Sequence, residues 1–186
     1  MDRKRIEDSV REIISGVGED PARPGLQRTP ARVRRAYEEL LSGYDVDVKK
    51  LINGALYEIE HNDMVVVSEI EFYSLCEHHM LPFFGSAYIA YIPDGWVIGL
   101  SKIPRMVDVF AHRLQLQERM TSQIADCMME TIHPQGVAVV TSGQHLCSMM
   151  RGVKKNQTRL VSSCMRGVFE KDEKLQARFF SQIRLP

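Results

Sequence analysis

Two short clusters of cysteine and histidine are the residues in this sequence most able to do chemistry. One spans residues 76–79 (Cys-Glu-His-His), and the other spans residues 145–147 (His-Leu-Cys). A cysteine and a histidine three residues apart can both reach one ion if they lie on a turn or a short helical segment. Two thiolates and one imidazole form a borderline-soft donor set, which suits zinc better than magnesium or manganese.

The number of protein ligands distinguishes a catalytic zinc site from a structural one. Three ligands leave the fourth tetrahedral position to water, whereas a structural site is closed by four. His78 or His145 would supply that fourth ligand, so the spacing alone leaves both kinds of site open. In a three-ligand site, zinc would lower the pKa of the water to about 7. The remaining cysteines, Cys127 and Cys164, are predicted to be packing residues.

The elements that position these clusters follow from the hydrophobic pattern. Apolar residues at helical spacing predict two helices before residue 43, the second starting at Thr29-Pro30. Beyond residue 60 the pattern predicts strands at 64–72, 85–92, 96–100, 136–141 and 160–169, and helices at 103–112, 117–131 and 171–183. The turn sequence of residues 93–95 (Pro-Asp-Gly) predicts a hairpin between the second and third strands.

This order of elements predicts an α+β fold with an antiparallel sheet. We expect residues 1–60 to form an N-terminal helical segment and residues 61–186 to form the main domain.

Composition narrows the classes of partner. The chain has 24 basic and 24 acidic residues, and this balance argues against nucleic-acid and membrane-surface binding, which need a basic excess. A small anionic ligand needs only a few local cations and is not excluded.

No apolar stretch reaches the ~18 residues of a membrane span, and the charged N-terminus lacks the apolar run of a signal peptide. We therefore expect a cytoplasmic protein with reduced cysteines.

Several longer segments resemble the motifs of the GTP cyclohydrolase I family. They are residues 74–85, 99–105, 116–119 and 145–154, together with the helix start at 29–32. The resemblance implies the tunnelling fold of that family, in which a four-stranded antiparallel sheet carries two helices on one face, here with additional N-terminal helices. It also implies a homo-oligomer, a decamer of two stacked pentameric rings with active sites between subunits.

The resemblance also implies the reaction. GTP takes up water at C8 of guanine, the imidazole ring opens, formate leaves, and the ribose carbons rearrange to give 7,8-dihydroneopterin triphosphate, the first step of pterin and tetrahydrofolate biosynthesis. By likeness, Cys76, His79 and Cys147 hold the zinc that activates this water. His145 would give a proton to the purine nitrogen, and His78 would assist proton transfers near the ribose.

Substrate contacts are implied in the same way. Glu118 would accept hydrogen bonds from the guanine N1–H and amino group, with Gln117 assisting. Leu160 stands where the family usually has a hydroxyl, and Cys164 where a small residue is common, so local packing near the phosphate end differs. The positions that match the family's phosphate-binding residues are Arg32, Ser101, Lys102, Arg105 and Arg151.

Three rival functions remain at this stage. A nitrile reductase of deazaguanine metabolism on the same fold would use a cysteine nucleophile and a nicotinamide cofactor, and would not need the two separated Cys/His clusters. A degenerate family member would bind a purine or pterin without chemistry. A hydrolase acting on GTP phosphates would need a Gly-x-x-x-x-Gly-Lys-Ser/Thr loop, and the sequence has none.

Overall fold

The chain divides into two units, Met1–Ser42 and Gly43–Pro186, in the computed structural model. This structure describes residues 1–52, 54–60 and 62–185. Among the described residues, no helix is both long and apolar enough to cross a lipid bilayer.

The first unit is a pair of packed helices, as the sequence predicted. They are α1 (Arg3–Gly16) and α2 (Thr29–Leu40). The side chain of Asp2 caps α1 by accepting a hydrogen bond from a backbone N–H of its first turn, and Pro30 occupies the first turn of α2, where no N–H is needed. Arg34 of α2 forms ion pairs with Glu7 of α1 and with Glu38 one turn along its own helix.

The second unit contains seven strands and five α-helices in its described residues. The strands are β1 (Leu56–Glu58), β2 (Val65–Cys76), β3 (Pro82–Ile92), β4 (Trp96–Ile98), β5 (Leu114–Gln115), β6 (Gly136–His145) and β7 (Leu160–Gly167). The helices are α3 (Val48–Ile52), α4 (Lys102–Ala111), α5 (Gln117–Ile132), α6 (Leu146–Met149) and α7 (Glu173–Gln182).

The main sheet has the strand order β5-β2-β3-β6-β7. Its four long strands are antiparallel, as predicted, but the two-residue β5 adds a fifth strand parallel to β2, so the sheet is mixed. Because β3 is antiparallel to both β2 and β6, those two strands run in the same direction. Their carboxyl ends therefore meet at one edge of the sheet, where Phe83 lies opposite both Ser74 and His145.

The predicted hairpin between residues 85–92 and 96–100 is wrong. β4 pairs instead with β1 in a separate two-stranded sheet, with Tyr57 opposite Val97. The physical reason is that β3 has no free edge, since β2 occupies one side and β6 the other. The turn at 93–95 therefore ends β3 without folding the chain back onto it.

Alternating side chains bury both faces of the sheet. Phe83, Ile89 and Tyr91 belong to the core shared with α4 and α5, whereas Tyr88 and Ala90 belong to a second core that includes Phe179 of α7. This alternation follows from the two-residue period of a strand. The two helices expected on one face are present, and the C-terminal helix covers part of the other.

We expect Gly85→Ala to destabilise the protein by about 1–3 kcal/mol, because overpacking forces the backbone apart. A Cβ at Gly85 would lie only 1.9 Å from the carbonyl oxygen of Ser142 on β6. Gly99→Ala is the matched control, since its Cβ would meet nothing closer than 3.6 Å. Equal urea-unfolding midpoints for the two variants would contradict this packing.

Candidate metal centre

Three side chains converge at the sheet edge where β2 and β6 end. Cys76 is the last residue of β2, Cys147 lies in α6 directly after β6, and His79 lies in the turn between β2 and β3. One ligand atom from each, two sulfurs and one imidazole nitrogen, lies within 4.8 Å of the other two. The structure thus brings together the three residues that sequence analysis assigned to the metal, in a group that could hold a metal ion.

The turn after β2 brings His79 back to Cys76. Two backbone hydrogen bonds hold this turn together: Met80 N donates to Cys76 O at 2.8 Å, and Cys76 N donates to Leu81 O at 2.9 Å. Met80 has a positive φ of 54°, which lets the chain reverse within five residues and enter β3. Cys76 is buried, whereas His79 is exposed. The group is therefore anchored on one side and open to solvent on the other.

The surroundings of Cys147 favour its neutral thiol. Burial raises the pKa of Cys147, the neighbouring Cys76 raises it further, and Arg151 opposes the shift. Two thiolates this close would repel each other, so a bound cation is what would hold both of them deprotonated. The Nη1 atom of Arg151 also lies 3.2 Å from His79 Nε2 and donates to Cys147 O at 3.3 Å.

His145 lies beside the metal group as the last residue of β6. Its imidazole stacks on the ring of Phe83, with centroids 4.6 Å apart and an interplanar angle of 4°. Its Nε2 lies 3.0 Å from Oε1 of Gln117, a residue that is fully buried. Burial lowers the pKa of the imidazole, and the negative charge of Glu118 opposes that shift.

The first turn of α5 carries three further polar residues at this edge. Gln117 points into the interior, while Glu118 and Arg119 are exposed. Arg119 forms an ion pair with Glu77 in the turn that carries His79, and its Nε also donates to Gln115 Oε1 at 3.3 Å. This contact connects the turn that carries His79 to the start of α5.

The remaining predicted site residues are spread more widely. His78 is exposed, with its ring centroid 6.3 Å from that of His79. Ser101, Lys102 and Arg105 lie at the start of α4, where Lys102 Nζ donates to Leu51 O at 2.6 Å. Within the described residues, no hydrogen bond or ion pair joins them to the metal group. Arg32 is an exposed residue of α2 in the first unit.

Some residues that support this site have no signal in the sequence. Glu77 and Arg119 are separated by 42 positions, so their pairing depends on β5 bringing the start of α5 beside the end of β2. Phe83 reads as an ordinary strand residue, and its stacking on His145 depends on the register between β3 and β6.

A cavity of about 400 Å³, lined by residues that include Lys49, Glu130 and His133, contains none of the metal group. In a single chain, the exposed His79 and Arg151 leave the metal group open to solvent.

Comparison with known proteins identifies relatives along the whole chain. The family model for GTP cyclohydrolase I matches residues 6–184. A GTP cyclohydrolase 1 of Campylobacter jejuni is 54% identical over 181 residues, 97% of this chain and 95% of the relative. One of Leptospira biflexa is 52% identical over 179 residues, 96% and 98% of the two chains. One of Caldanaerobacter subterraneus is 50% identical over 184 residues, which cover 98% of this chain and 97% of the relative.

Among solved structures, the archaeosine synthase QueF-Like in the apo form covers 56% of this chain and 93% of its own, with a TM-score of 0.47 and 17% identity. That likeness is too low to bear on fold or function. The full-length matches and the converging Cys76, His79 and Cys147 agree with the motifs seen in the sequence. The chain belongs to the GTP cyclohydrolase I family.

Proposed function

We propose that this chain converts GTP to 7,8-dihydroneopterin triphosphate with release of formate, using zinc held by Cys76, His79 and Cys147. The observation that carries the proposal is the convergence of two sulfurs and one imidazole nitrogen within 4.8 Å, in a chain that belongs to this family. The relatives at 50–54% identity bear the name GTP cyclohydrolase 1 over nearly their whole length.

The donor set fits zinc. Two thiolates and an imidazole are soft to borderline ligands, and three protein ligands leave one tetrahedral position free. When bound, zinc supplies a Lewis acid that lowers the pKa of water to about 7, which makes hydroxide available at neutral pH. The exposed side of the group, where His79 lies, leaves room for substrate to approach.

Purine recognition is assigned to Glu118. Its carboxylate is exposed in the first turn of α5 and lies close enough to His145 to influence the pKa of that imidazole. A carboxylate offers two acceptor oxygens, which complement the adjacent N1–H and amino donors of guanine. This would place the purine between α5 and the metal group, with C8 directed toward the metal.

Proton transfer is assigned to His145 and His78. His145 is half-buried beside the metal group, and burial lowers the pKa of its imidazole, which favours the neutral form that can accept a proton before passing it on. It would give a proton to the purine nitrogen as the imidazole ring of GTP opens. His78 is exposed next to His79 and would serve the later steps on the ribose.

Triphosphate binding is assigned to a set of basic and hydroxyl residues. Arg151 is exposed and already contacts His79 and the carbonyl of Cys147, so it lies at the metal group. A guanidinium can bind phosphate oxygens in bidentate fashion. Lys102 uses one ammonium hydrogen on Leu51 O and keeps two for phosphate. The other members of the set are Ser101, Arg105 and Arg32.

The tunnelling fold and the decamer of two stacked pentamers belong to the same proposal. Within the described residues, β7 pairs only with β6, so its outer edge is free, and Leu160 and Val161 on it are exposed. Joining such edges between subunits removes an aggregation hazard. Subunit joining would also close the open edge at the metal group. We further propose residues 1–60 as an N-terminal segment that is mainly helical, with β1 near its end, and residues 61–186 as the catalytic domain.

We expect Cys147→Ser to remove bound zinc and GTP-dependent formate release together, because a serine hydroxyl is a poor substitute for a thiolate. Cys164→Ser is the matched control, since Cys164 lies on β7 beside Ser122 and outside the metal group. Metal analysis and formate assay on the same preparations provide the measurement. Full formate release by a zinc-free Cys147→Ser protein would refute the zinc proposal.

We expect Glu118→Ala to raise the KM for GTP about 10–100-fold, because the substrate loses hydrogen bonds to a charged group. The zinc content should stay unchanged. Inosine triphosphate keeps N1–H but lacks the 2-amino group, so the variant should also lose the preference for GTP over inosine triphosphate. Glu130→Ala, at the other end of α5, is the control. A variant that loses zinc, or that keeps the preference, would contradict the role of Glu118.

A further inference from the structure

The side chain of Gln117 is held in one orientation by its surroundings. Its Nε2 lies 2.9 Å from Leu160 O, 3.2 Å from Thr141 O and 3.1 Å from Thr141 Oγ1. The two carbonyl oxygens can only accept, so the NH₂ end of the amide must face them. The residue is fully buried, and turning the amide over would set its own oxygen against these carbonyls.

The hydroxyl groups of Thr121 and Thr141 form hydrogen bonds whose donors and acceptors agree with this orientation of Gln117. Thr121 Oγ1 donates to the backbone carbonyl of Gln117 at 2.7 Å, so its hydrogen is used. The 2.8 Å contact between the hydroxyls of Thr121 and Thr141 is then donated by Thr141. Thr141 Oγ1 remains free to accept from the Gln117 amide. Every donor in this network has an acceptor, which fixes Oε1 of Gln117 as the atom facing His145.

We infer that Gln117 is a positioning residue that holds the neutral His145 imidazole in the tautomer with its proton on Nε2. The 3.0 Å contact joins His145 Nε2 to an oxygen that can only accept, so Nε2 must donate. The other nitrogen, Nδ1, has no hydrogen-bond partner among the described residues. Nδ1 is therefore the atom through which His145 accepts or gives a proton.

Two further contacts maintain this arrangement. The nearly parallel stack on Phe83 fixes the plane of the imidazole. Gly143 leaves the space that Gln117 occupies, because a Cβ there would lie 2.5 Å from Gln117 Oε1. Turning the ring by 180° would put a carbon against that oxygen and lose the hydrogen bond. A histidine whose second nitrogen is held in this way keeps both its tautomer and its orientation.

This tautomer assignment changes the role of Gln117 in the proposed reaction. Its consequence for catalysis rests on the proposed function. Sequence resemblance assigned Gln117 to assist Glu118 in binding the purine, but its amide is already used by Thr141, Leu160 and His145. Its effect on catalysis would pass through His145. A protonated His145 would keep Nε2–H on Gln117 and give its Nδ1 proton to the purine nitrogen.

The direct test is magic-angle-spinning NMR of protein labelled with ¹⁵N-histidine, a method that suits large assemblies. The zinc-loaded protein is measured at about pH 8.5, two units above the ordinary imidazole pKa of about 6.5. Comparison with a His145→Gln spectrum assigns the ring among the six histidines. A protonated Nε2 and bare Nδ1 support the inference, and a protonated Nδ1 overturns it. This spectrum does not depend on turnover, so it tests the tautomer of His145 even if GTP is not the substrate.

Kinetics test the consequence for catalysis. Gln117→Met removes the acceptor at similar volume, and we expect it to lower kcat at least about tenfold, with little change in zinc content or in the KM for GTP. In a His145→Gln background, the same change should cost less than about twofold. Gln176→Met is the matched control, since it makes the same change at a glutamine of α7 whose amide donates to Phe169 O, outside this network. A raised KM, or equal losses in both backgrounds, would show that Gln117 does not act through His145.

Discussion

The pairing of β3 with both β2 and β6 is the constraint on which the site depends. Ten residue pairs join β3 to β6, and a comparable ladder joins β3 to β2. Because of these ladders, β2 and β6 lie on either side of β3 and run in the same direction. Cys76 and Cys147 therefore lie at the same edge of the sheet, although 71 positions separate them in the chain. The turn that starts β3 then returns His79 to the same point. A slip of one residue in either register would turn the end of a strand to the opposite face.

The second requirement is that polar groups at the start of α5 are satisfied inside the protein. Gln117, Thr121 and Thr141 are all fully buried, and their hydrogen bonds link α5 to β6 and β7. A buried network of this kind is stable only when every member has a partner. Because the last member is His145, the same contacts that dock the helix also orient a side chain of the site. Glu118 follows on the exposed side, where we propose that it binds the purine, so the same helical turn carries one buried and one solvent-facing residue of the site.

The sequence predicted the parts of this structure that depend on local pattern. Periodicity predicted the long strands and the helices at 103–112 and 117–131, which lie close to the observed α4 and α5. The three metal-site residues followed from the resemblance to the family, and the structure brings them together. The partner of β4 was not predictable, because turn chemistry at 93–95 does not reveal that both edges of β3 are already occupied. The pairing of Glu77 with Arg119 and the stacking of Phe83 on His145 likewise depend on register. Side chains that only support a site carry no chemical signature of their own.

In the proposed function, hydrolysis of GTP requires zinc at Cys76, His79 and Cys147. The most direct measurement follows formate release and dihydropterin absorbance from GTP before chelation, after chelation and after return of zinc, with metal content determined at each stage. Both products are expected to disappear with the metal and to return with about one zinc per chain. Formate release that continues in metal-free protein, or zinc-loaded protein that releases no formate from GTP, would contradict the proposed function.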